Sequence, residues 1–347
     1  MKIAVIGAGA IGGYVGGWLA AAGEEVTFIA RGANLAAIRQ NGIRVIGEDG
    51  TEVVARTRAY EKTADAGPQD YVILAVKAHQ VGAIAADVAA LCHADTAIVT
   101  MQNGIPFWYF HKHGGPLEGT PVRSADPDGS ISRLIDPNRV IGSVVYPAAT
   151  LEAPGVIRVH EGRRFTLGEP DGSTSARAQT ISTAFTRAGF KSPVIGDIRS
   201  EIWLKLWGNV SFNPISALTH STLAGLLRYP LTRQLCVEMM QEAQTVATKL
   251  GVTFRVGIDK RIAGAEKVGE HKTSMLQDVE AGRPLELEAL IGAVVELGRL
   301  TETPTPHIDA VYALVSLLAK QLAETHGRLS LPPSPNFSNQ PTSVQMA

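Results

Sequence analysis

The sequence is short of cysteine, of net charge and of long apolar runs. Cys92 and Cys236 are the only cysteines among 347 residues, and neither belongs to a Cys-x-x-Cys pair. They indicate neither a disulfide framework nor a zinc site, and this usage fits a reducing cytoplasm. The formal net charge of −1 argues against a nucleic acid as partner. No stretch reaches the roughly 18 uninterrupted apolar residues of a membrane helix, so we expect no membrane association.

The composition that is present suffices for two domains. Hydrophobic residues make up 45% and charged residues 19% of the sequence, so a sizeable core can be buried. Strand-like runs stop near residue 197, and helical periodicity then continues to about residue 320. We therefore predict an α/β fold, with a Rossmann-type dinucleotide-binding domain at 1–196 followed by an all-α domain at 197–330. Residues 331–347 are rich in Pro, Ser, Asn and Gln, which predicts a disordered tail.

A glycine-rich turn follows the first predicted strand. The run Lys2 to Ile6 is typical of a buried parallel strand, and it is too short for the apolar part of a signal peptide. The strand is followed by a helical pattern, and between them G-x-G-x-x-G is the fingerprint of a dinucleotide-binding turn. The helix N-terminus would offer amide donors to a pyrophosphate, whereas an ordinary glycine turn is the alternative. The predicted cofactor-binding turn is Gly7, Ala8, Gly9, Ala10, Ile11 and Gly12.

The end of the second predicted strand indicates which dinucleotide binds. NAD enzymes tend to place Asp or Glu there, where the carboxylate binds the ribose 2′-hydroxyl. In this sequence the strand ends Ile29-Ala30-Arg31-Gly32, without an acid. A guanidinium can form charge-assisted hydrogen bonds with a 2′-phosphate, so Arg31 favours NADPH over NADH. The alternative is that Arg31 is an ordinary solvated surface residue.

Two later strands also end in polar residues, where a doubly wound sheet opens its binding crevice. Lys77 follows the run that ends at Val76, and Asn103 follows the run that ends at Met101. Both are candidate cofactor or substrate contacts. The passage 107–140 is long and rich in Gly and Pro, which predicts a functional or mobile loop. Its aromatic residues Trp108 and Tyr109 either form a lid or fix the loop to the body of the protein.

In the second half, two helix starts carry polar residues of interest. Thr273 or Ser274 is expected to cap the helix of the sequence S-M-L-Q-D, and Pro284 is expected to begin another. Glu286 would then lie in the first turn of that helix, where the helix dipole favours an acid.

The most informative stretch is Ile202 to Asn213, a mostly apolar helix with three polar residues. Lys205, Asn209 and Asn213 recur every four residues and would share one helix face. Pro214 follows, so we expect a bend or a loosened turn there. A lysine whose ammonium extends past the tryptophans to water is one interpretation. A site is the other, because a cation and two amides in apolar surroundings need partners.

Taken together, these motifs resemble the ketopantoate reductase family, from Met1 to about residue 320. The resemblance depends on the combination of the glycine turn with Arg31, V-K-A at Lys77, Q-N-G at Asn103, W-x-K-L-x-x-N-x-x-x-N-P, S-M-L-Q-D and an acid twelve residues after Ser274. It implies an NADPH-dependent reductase of a small-molecule 2-oxo acid, with 2-dehydropantoate as the expected substrate. It also implies catalytic and supporting roles for Lys205 and Glu286. A homodimer formed through the helical domain is a further expectation.

The resemblance also assigns roles to individual residues. Lys205 would be the general acid, and Glu286 would support the site near the nicotinamide. Substrate would be held by Asn209, Asn213, Ser274 and Asn103, and cofactor would be contacted by Lys77, Asn103, Glu286 and Ala149. Hydride addition to a ketone leaves charge on oxygen, so a proton donor beside that oxygen is chemically required. No metal site is expected, since His111 and His113 have no further ligand in register.

The sequence departs from the family pattern at two places. Leu223 stands where the pattern has a further substrate-binding amide, and the 107–140 passage is long. Two alternatives therefore remain open. One is an NADP(H)-dependent reductase of another 2-oxo or 3-hydroxy acid. The other is a regulator that senses NADP(H) without turnover, for which the Lys205 helix would have no use.

Overall fold

The structure is a computed structural model that describes residues 1–331. The predicted tail, from residue 332 onward, lies outside the described residues. Within residues 1–331 the chain forms eleven strands. They are β1 (Lys2–Ile6), β2 (Glu25–Ile29), β3 (Ile43–Ile46), β4 (Glu52–Ala55), β5 (Arg58–Tyr60), β6 (Gln69–Leu74), β7 (Cys92–Thr100), β8 (Val140–Val145), β9 (Ala148–Ala153), β10 (Val156–Glu161) and β11 (Phe165–Gly168).

Helices follow the strands in the first half and make up the second half. They are α1 (Ala10–Ala21), α2 (Gly32–Asn41), α3 (Val81–Val88), α4 (Ser130–Leu134), α5 (Ala176–Arg187), α6 (Ile198–Thr219), α7 (Leu223–Arg228), α8 (Pro230–Lys249), α9 (Ile258–Val268), α10 (Ser274–Ala281), α11 (Ala293–Leu300) and α12 (Pro306–Thr325). A π-helical turn, Glu288–Gly292, leads into α11. A mixed α/β domain followed by a helical domain confirms the predicted fold class; the boundary at residue 197 stays a prediction.

The main sheet positions the nucleotide turn. Its strand order is β11-β8-β7-β6-β1-β2-β5, and β1 pairs in parallel with both β2 and β6. The chain therefore leaves β1 in one direction and later returns to its other side. Such a reversal opens a crevice at the carboxyl ends of the strands, which is where ligands bind in sheets of this kind. The residues that follow β1, β6 and β7 accordingly meet at one edge.

A second, four-stranded sheet of order β4-β3-β10-β9 packs on α1, and sequence reasoning missed most of it. The neighbouring strands β10 and β11 are divided between the two sheets, β10 in the second sheet and β11 at the edge of the main one. Glycines on α1 permit the close packing. A Cβ at Gly13 would lie 2.7 Å from Ile157, and one at Gly17 would lie 2.7 Å from Val45.

The helical domain is built around α6. Trp203 and Trp207 are fully buried, and the Trp207 ring stacks on Phe254 at a centroid distance of 3.9 Å. They thus belong to the core rather than to a substrate pocket. The helix continues through Pro214 to Thr219, so the proline does not end it. Burial of both helix faces supplies the stability that a proline removes from a solvent-exposed helix.

The passage 107–140 is fixed to the body of the protein near its start. Trp108, Tyr109 and Phe110 are at most 2% exposed. The Trp108 indole donates to Thr100 Oγ1 at 3.0 Å, and the Trp203 indole donates to the Tyr109 hydroxyl at 2.7 Å. Of the two alternatives for these aromatic residues, the structure therefore supports fixation rather than a lid.

Candidate active site

The glycine turn has the geometry that a dinucleotide requires. Gly7 has φ +97°, in the left-handed region, and a Cβ at Gly12 would lie 1.9 Å from the Gly7 carbonyl oxygen. A Cβ at Gly9 would instead meet nothing within 4 Å, so the backbone is open on that side. Helix α1 starts at Ala10, and its first amides point toward this space. The residues present therefore fit a pyrophosphate at this turn.

A cavity of about 280 Å³ continues from the glycine turn along the ends of β1 and β2. Arg31 is exposed at its wall, as the residue before α2. Asn34 donates to the Ala8 carbonyl at 2.5 Å and accepts from the Gly155 amide at 2.6 Å, which ties the turn to the second sheet. Glu61, at the end of neighbouring strand β5, also lines the cavity, and sequence reasoning missed it because β5 was not predicted.

Lys205 reaches from α6 to the carboxyl edge of the main sheet. Its ammonium donates to Asn103 Oδ1 at 2.5 Å and also to the carbonyl of Val145, at the end of β8. Val145 was not among the predicted site residues, because a backbone acceptor has no sequence signature. Removal from water lowers the pKa of Lys205 to about 8, and the nearby Glu286 carboxylate offsets part of that shift. A lysine with this pKa can give up a proton near neutral pH.

The predicted polar face of α6 is formed. Lys205, Asn209 and Asn213 all lie on this helix, and Asn213 Nδ2 donates to Asn209 Oδ1 at 3.4 Å. Ser274 is exposed at the start of α10, where Thr273 caps the helix by accepting from the Leu276 amide at 3.3 Å. The Ser274 hydroxyl is thus not needed as a cap. It makes no hydrogen bond within the described part of the chain.

The two domains also contact each other through predicted cofactor residues. Lys77 donates to Asp278 Oδ2 at 2.6 Å, and the Ala78 amide donates to Glu286 Oε1 at 3.1 Å. Glu286 lies in a loop before the π-helical turn, so its expected place in the first turn of an α-helix is wrong. Glu286 belongs to neither helix type. Its carboxylate accepts from the Ala78 amide and so holds the segment after β6. Asp278 is the last residue of the S-M-L-Q-D motif, and no role in the site was predicted for it.

The turn that carries Asn103 docks directly on the π-helical turn. Gly104 has φ +86°, and a Cβ there would lie 2.1 Å from the Ala289 carbonyl oxygen. The Ile105 amide donates to that same oxygen at 2.8 Å. Gln102, whose side chain was not assigned a role, donates to the carbonyls of Leu74 and Val76 at 2.8 and 3.0 Å. These contacts fix Asn103 opposite Lys205.

Two predicted features lie apart from this group. Ala149 is on β9, where it pairs with Val159 in the second sheet. It is half-buried against the first-domain core and lines neither the Arg31 cavity nor the Lys205 site. His111 and His113 are not joined by acids: within residues 1–331, no group of three or more His, Cys, Asp or Glu is arranged to hold a metal. In the same range, no helix has the length and apolarity to cross a membrane.

A Rossmann-type domain, an open glycine turn and a half-buried lysine at the sheet's carboxyl edge define a two-domain, dinucleotide-dependent oxidoreductase. Comparison with known proteins identifies the family of oxidoreductases to which it belongs. Residues 3–172 match the family described as "Ketopantoate reductase PanE/ApbA", and residues 197–319 match "Ketopantoate reductase PanE/ApbA C terminal". The chain belongs to the ketopantoate reductase family.

Individual relatives agree with this assignment over nearly the whole chain. A 2-dehydropantoate 2-reductase of Mesorhizobium japonicum is 57% identical over 320 residues, which are 92% of this chain and 98% of the relative. The structure of a 2-dehydropantoate 2-reductase from Methylococcus capsulatus superposes with a TM-score of 0.77 at 30% identity, covering 93% and 98% of the two chains. A D-mandelate dehydrogenase complex with NADH, at 22% identity and a TM-score of 0.79, shares the fold.

Proposed function

We propose that this protein reduces 2-dehydropantoate to pantoate with NADPH as hydride donor. The observation that carries the proposal is the Lys205 ammonium, held at the sheet edge by Asn103 and by the Val145 carbonyl. Its support from outside the chain is the 57% identity with a 2-dehydropantoate 2-reductase over 92% of the sequence. The reaction adds a hydride to the ketone carbon and a proton to its oxygen.

The chain supplies the proton and the orientation. Bound NADPH would provide the hydride, with its pyrophosphate at Gly9 and its 2′-phosphate beside Arg31. Lys205, in its ammonium form, donates a proton to the carbonyl oxygen and is then reprotonated from water. Its lowered pKa makes this donation easier than from an ordinary lysine. Asn209 and Asn213 extend the polar face by two helix turns and orient the hydroxyl group of the substrate.

Glu286 and Asn103 act from the other sides of the same site. Glu286 holds the backbone after β6 through Ala78 and keeps negative charge near Lys205. That charge limits how far the lysine pKa falls, so that a useful fraction stays protonated. Asn103 orients the ammonium before substrate arrives. Ser274 and Lys77 are assigned to substrate and cofactor by the resemblance; a contact by Ala149, a homodimer and a cytoplasmic location also stay predictions.

The test is steady-state oxidation of NADPH and of NADH with a panel of 2-oxo acids. The panel contains 2-dehydropantoate, pyruvate, 2-oxoisovalerate and phenylglyoxylate, which differ in the group next to the ketone. We expect kcat/KM to be highest for 2-dehydropantoate with NADPH, by about tenfold or more over the other acids. A higher value for another acid would replace the substrate. Cofactor binding without turnover of any acid would instead identify a regulator.

A further inference from the structure

An arginine without a partner lies beside the Lys205 turn of α6. Arg261 belongs to α9 and is half-buried. Within the described residues 1–331, its guanidinium forms neither an ion pair nor a hydrogen bond. Burial lowers the pKa of Arg261, and the neighbouring Tyr146 offsets part of that shift. A cation withdrawn from water without a partner is unfavourable in the free protein. A ligand that supplies an anion would remove this cost.

The guanidinium packs on the same face of α6 that carries Lys205. A Cβ at Gly208 would lie 2.4 Å from Arg261 Nη2, so only glycine leaves room for the arginine in this position. The Arg261 Cζ also lies 5.6 Å from the centre of the Phe212 ring. Gly208 is three residues after Lys205, and positions so spaced lie about 5–6 Å apart on a helix surface. The place where Arg261 packs on α6 is therefore about one helix turn from Lys205.

Neighbouring charges leave Arg261 available for a ligand. The nearby carboxylate is Glu201, whose side chain is fully buried. It accepts from the Tyr146 hydroxyl at 2.7 Å and pairs with Arg164 at 3.4 Å and with Arg255. Arg164 and Arg255 thus already share this carboxylate. Tyr146 directly follows Val145, the acceptor for Lys205, so this positively charged cluster borders the catalytic lysine.

We infer that Arg261 binds the carboxylate of the 2-oxo acid whose ketone lies at Lys205. The inference rests on the proposed function, since it takes a 2-oxo acid as substrate. In such an acid the carboxylate is bonded to the ketone carbon, so its subsite must adjoin the proton donor. A guanidinium fork matches the two carboxylate oxygens, with two parallel charge-assisted hydrogen bonds. Arg261 adds to the polar residues of the site a charged group that fixes which end of the substrate faces the helix.

The first test compares an acid with its neutral analogue. Arg261→Met removes the charge while keeping much of the side-chain volume. We expect its KM for 2-dehydropantoate to rise about 30- to 100-fold, the range for a lost charge-assisted contact. The KM for 2-dehydropantolactone, in which the carboxylate is an internal ester, should change less than about threefold. Arg228→Gln, which alters an exposed arginine paired with Glu270, is the matched control and should change neither KM.

Gly208→Ala tests the same contact without removing the charge. The added methyl displaces the Arg261 guanidinium, so the KM for the acid should again rise while the KM for the lactone stays the same. Thermal unfolding separates a binding role from a structural one. Removing an unpaired, half-buried cation should leave the Tm of Arg261→Met equal to or above that of the wild type. A lower Tm with an unchanged acid KM would assign Arg261 to packing on Phe212 and overturn the inference.

Failure of the inference and failure of the proposed function give different results. If the wild type prefers another 2-oxo acid, the same variants are measured with that acid and its methyl ester. If no acid is reduced, calorimetry of the NADP⁺ complex with pantoate and with pantolactone replaces the kinetics. Wild-type binding of pantoate that Arg261→Met weakens at least tenfold, with pantolactone unaffected, supports the carboxylate subsite without turnover. Equal pantoate affinity of the wild type and Arg261→Met, or no binding to either, overturns it.

Discussion

At the scale of single residues, the site is organised by what happens to one ammonium group. Lys205 loses much of its water and gains two acceptors, Asn103 Oδ1 and the Val145 carbonyl. The acceptors favour the charged form, whereas the loss of water disfavours it. The second effect is larger, because the pKa falls from 10.5 to about 8. Lys205 therefore still carries a proton near neutral pH, and it releases that proton more readily than an ordinary lysine.

Replacing Lys205 by alanine should remove the proton donor and leave cofactor binding intact. We expect kcat to fall roughly 10²- to 10⁴-fold, the usual contribution of a general acid. NADPH affinity, measured by fluorescence titration, should be unchanged because the glycine turn and Arg31 lie in the other domain. Asn209→Ala should mainly raise the substrate KM, so the two variants should differ in kind. If the kcat of Lys205→Ala equals that of the wild type, Lys205 is an ordinary solvated lysine and not the proton donor.

The pH dependence follows from the same pKa. Only the ammonium can donate, so the wild-type kcat/KM should be highest below the folded-state pKa and fall as pH rises through about 8. Glu286→Gln removes a carboxylate that raises the pKa of Lys205, so its profile should fall at a lower pH than that of the wild type. The measurement is kcat/KM for NADPH oxidation between pH 6 and pH 10. A profile that stays flat across this range would show that proton transfer does not depend on Lys205.

Cofactor choice is a second property of individual residues. Arg31→Ala should raise the KM for NADPH about 10- to 100-fold and leave that for NADH little changed, because only NADPH has the 2′-phosphate. Glu61 lines the same cavity and would repel that phosphate. Glu61→Gln should therefore lower the KM for NADPH. Arg58→Ala, at an exposed arginine paired with Glu25, is the control and should affect neither cofactor. Equal losses for both cofactors in Arg31→Ala would exclude it as the phosphate ligand.

At the scale of elements, the sequence predicted strands that are buried and helices that are amphipathic. β1, β2, β6 and β7 lie where apolar runs indicated them, and α6 carries the expected polar face. The second sheet was missed because its strands are short and partly exposed: β4 has the burial pattern exposed, half-buried, exposed, buried. Such strands gain their stability from packing on α1 rather than from their own composition. Packing against α1 leaves little signal in the sequences of the strands themselves.

The candidate site shows the same division. Gly7, Lys205 and Asn103 could be named because their residue types and spacing carry the chemistry. Val145 contributes a carbonyl and Arg261 comes from a helix with no motif, so neither had a signal. Glu286 was predicted to support the site near the nicotinamide, but it was placed in the first turn of an α-helix, whereas it lies in a loop. The π-helical turn that follows it depends on the docking of Gly104 against Ala289, a contact between residues 185 positions apart along the chain.

The passage 107–140 supports a prediction about local stability. Its length and its Gly and Pro content predicted a functional or mobile loop. In the structure, Trp108 and Tyr109 are buried, and the carboxylate of Asp126 accepts from the Ile131 and Ser132 amides at 3.0 Å. Hydrogen exchange of the ligand-free protein should therefore be slow at residues 108–110 and 131–132 and fast at 114–120. Fast exchange over the whole passage would instead support the prediction that it is a mobile loop.

At the scale of the whole molecule, the site exists only where the two domains meet. The first domain supplies Asn103 and the Val145 carbonyl, and the second supplies Lys205 and Glu286. Their relative position must therefore be fixed to within a fraction of an ångström for proton and hydride transfer to coincide. Apolar side chains of the main sheet and of α6 belong to one buried cluster that joins the domains. Two polar contacts, Lys77 with Asp278 and Ala78 with Glu286, fix the remaining freedom at the mouth of the crevice.

The ion pair between the domains should be measurable as a coupling. Asp278 also pairs with Arg283 at 2.7 Å, so Asp278→Asn weakens an interdomain and an intradomain contact, whereas Lys77→Met weakens the interdomain one alone. In a double-mutant cycle on the free energy of unfolding, we expect a coupling of about 1 kcal/mol between positions 77 and 278. Lys77→Met and Asp278→Asn should each raise the KM values for cofactor and substrate together, because a looser crevice misplaces both. Additive effects on unfolding would mean that the pair does not hold the domains, and a rise in the cofactor KM alone would make Lys77 a ligand of the dinucleotide instead.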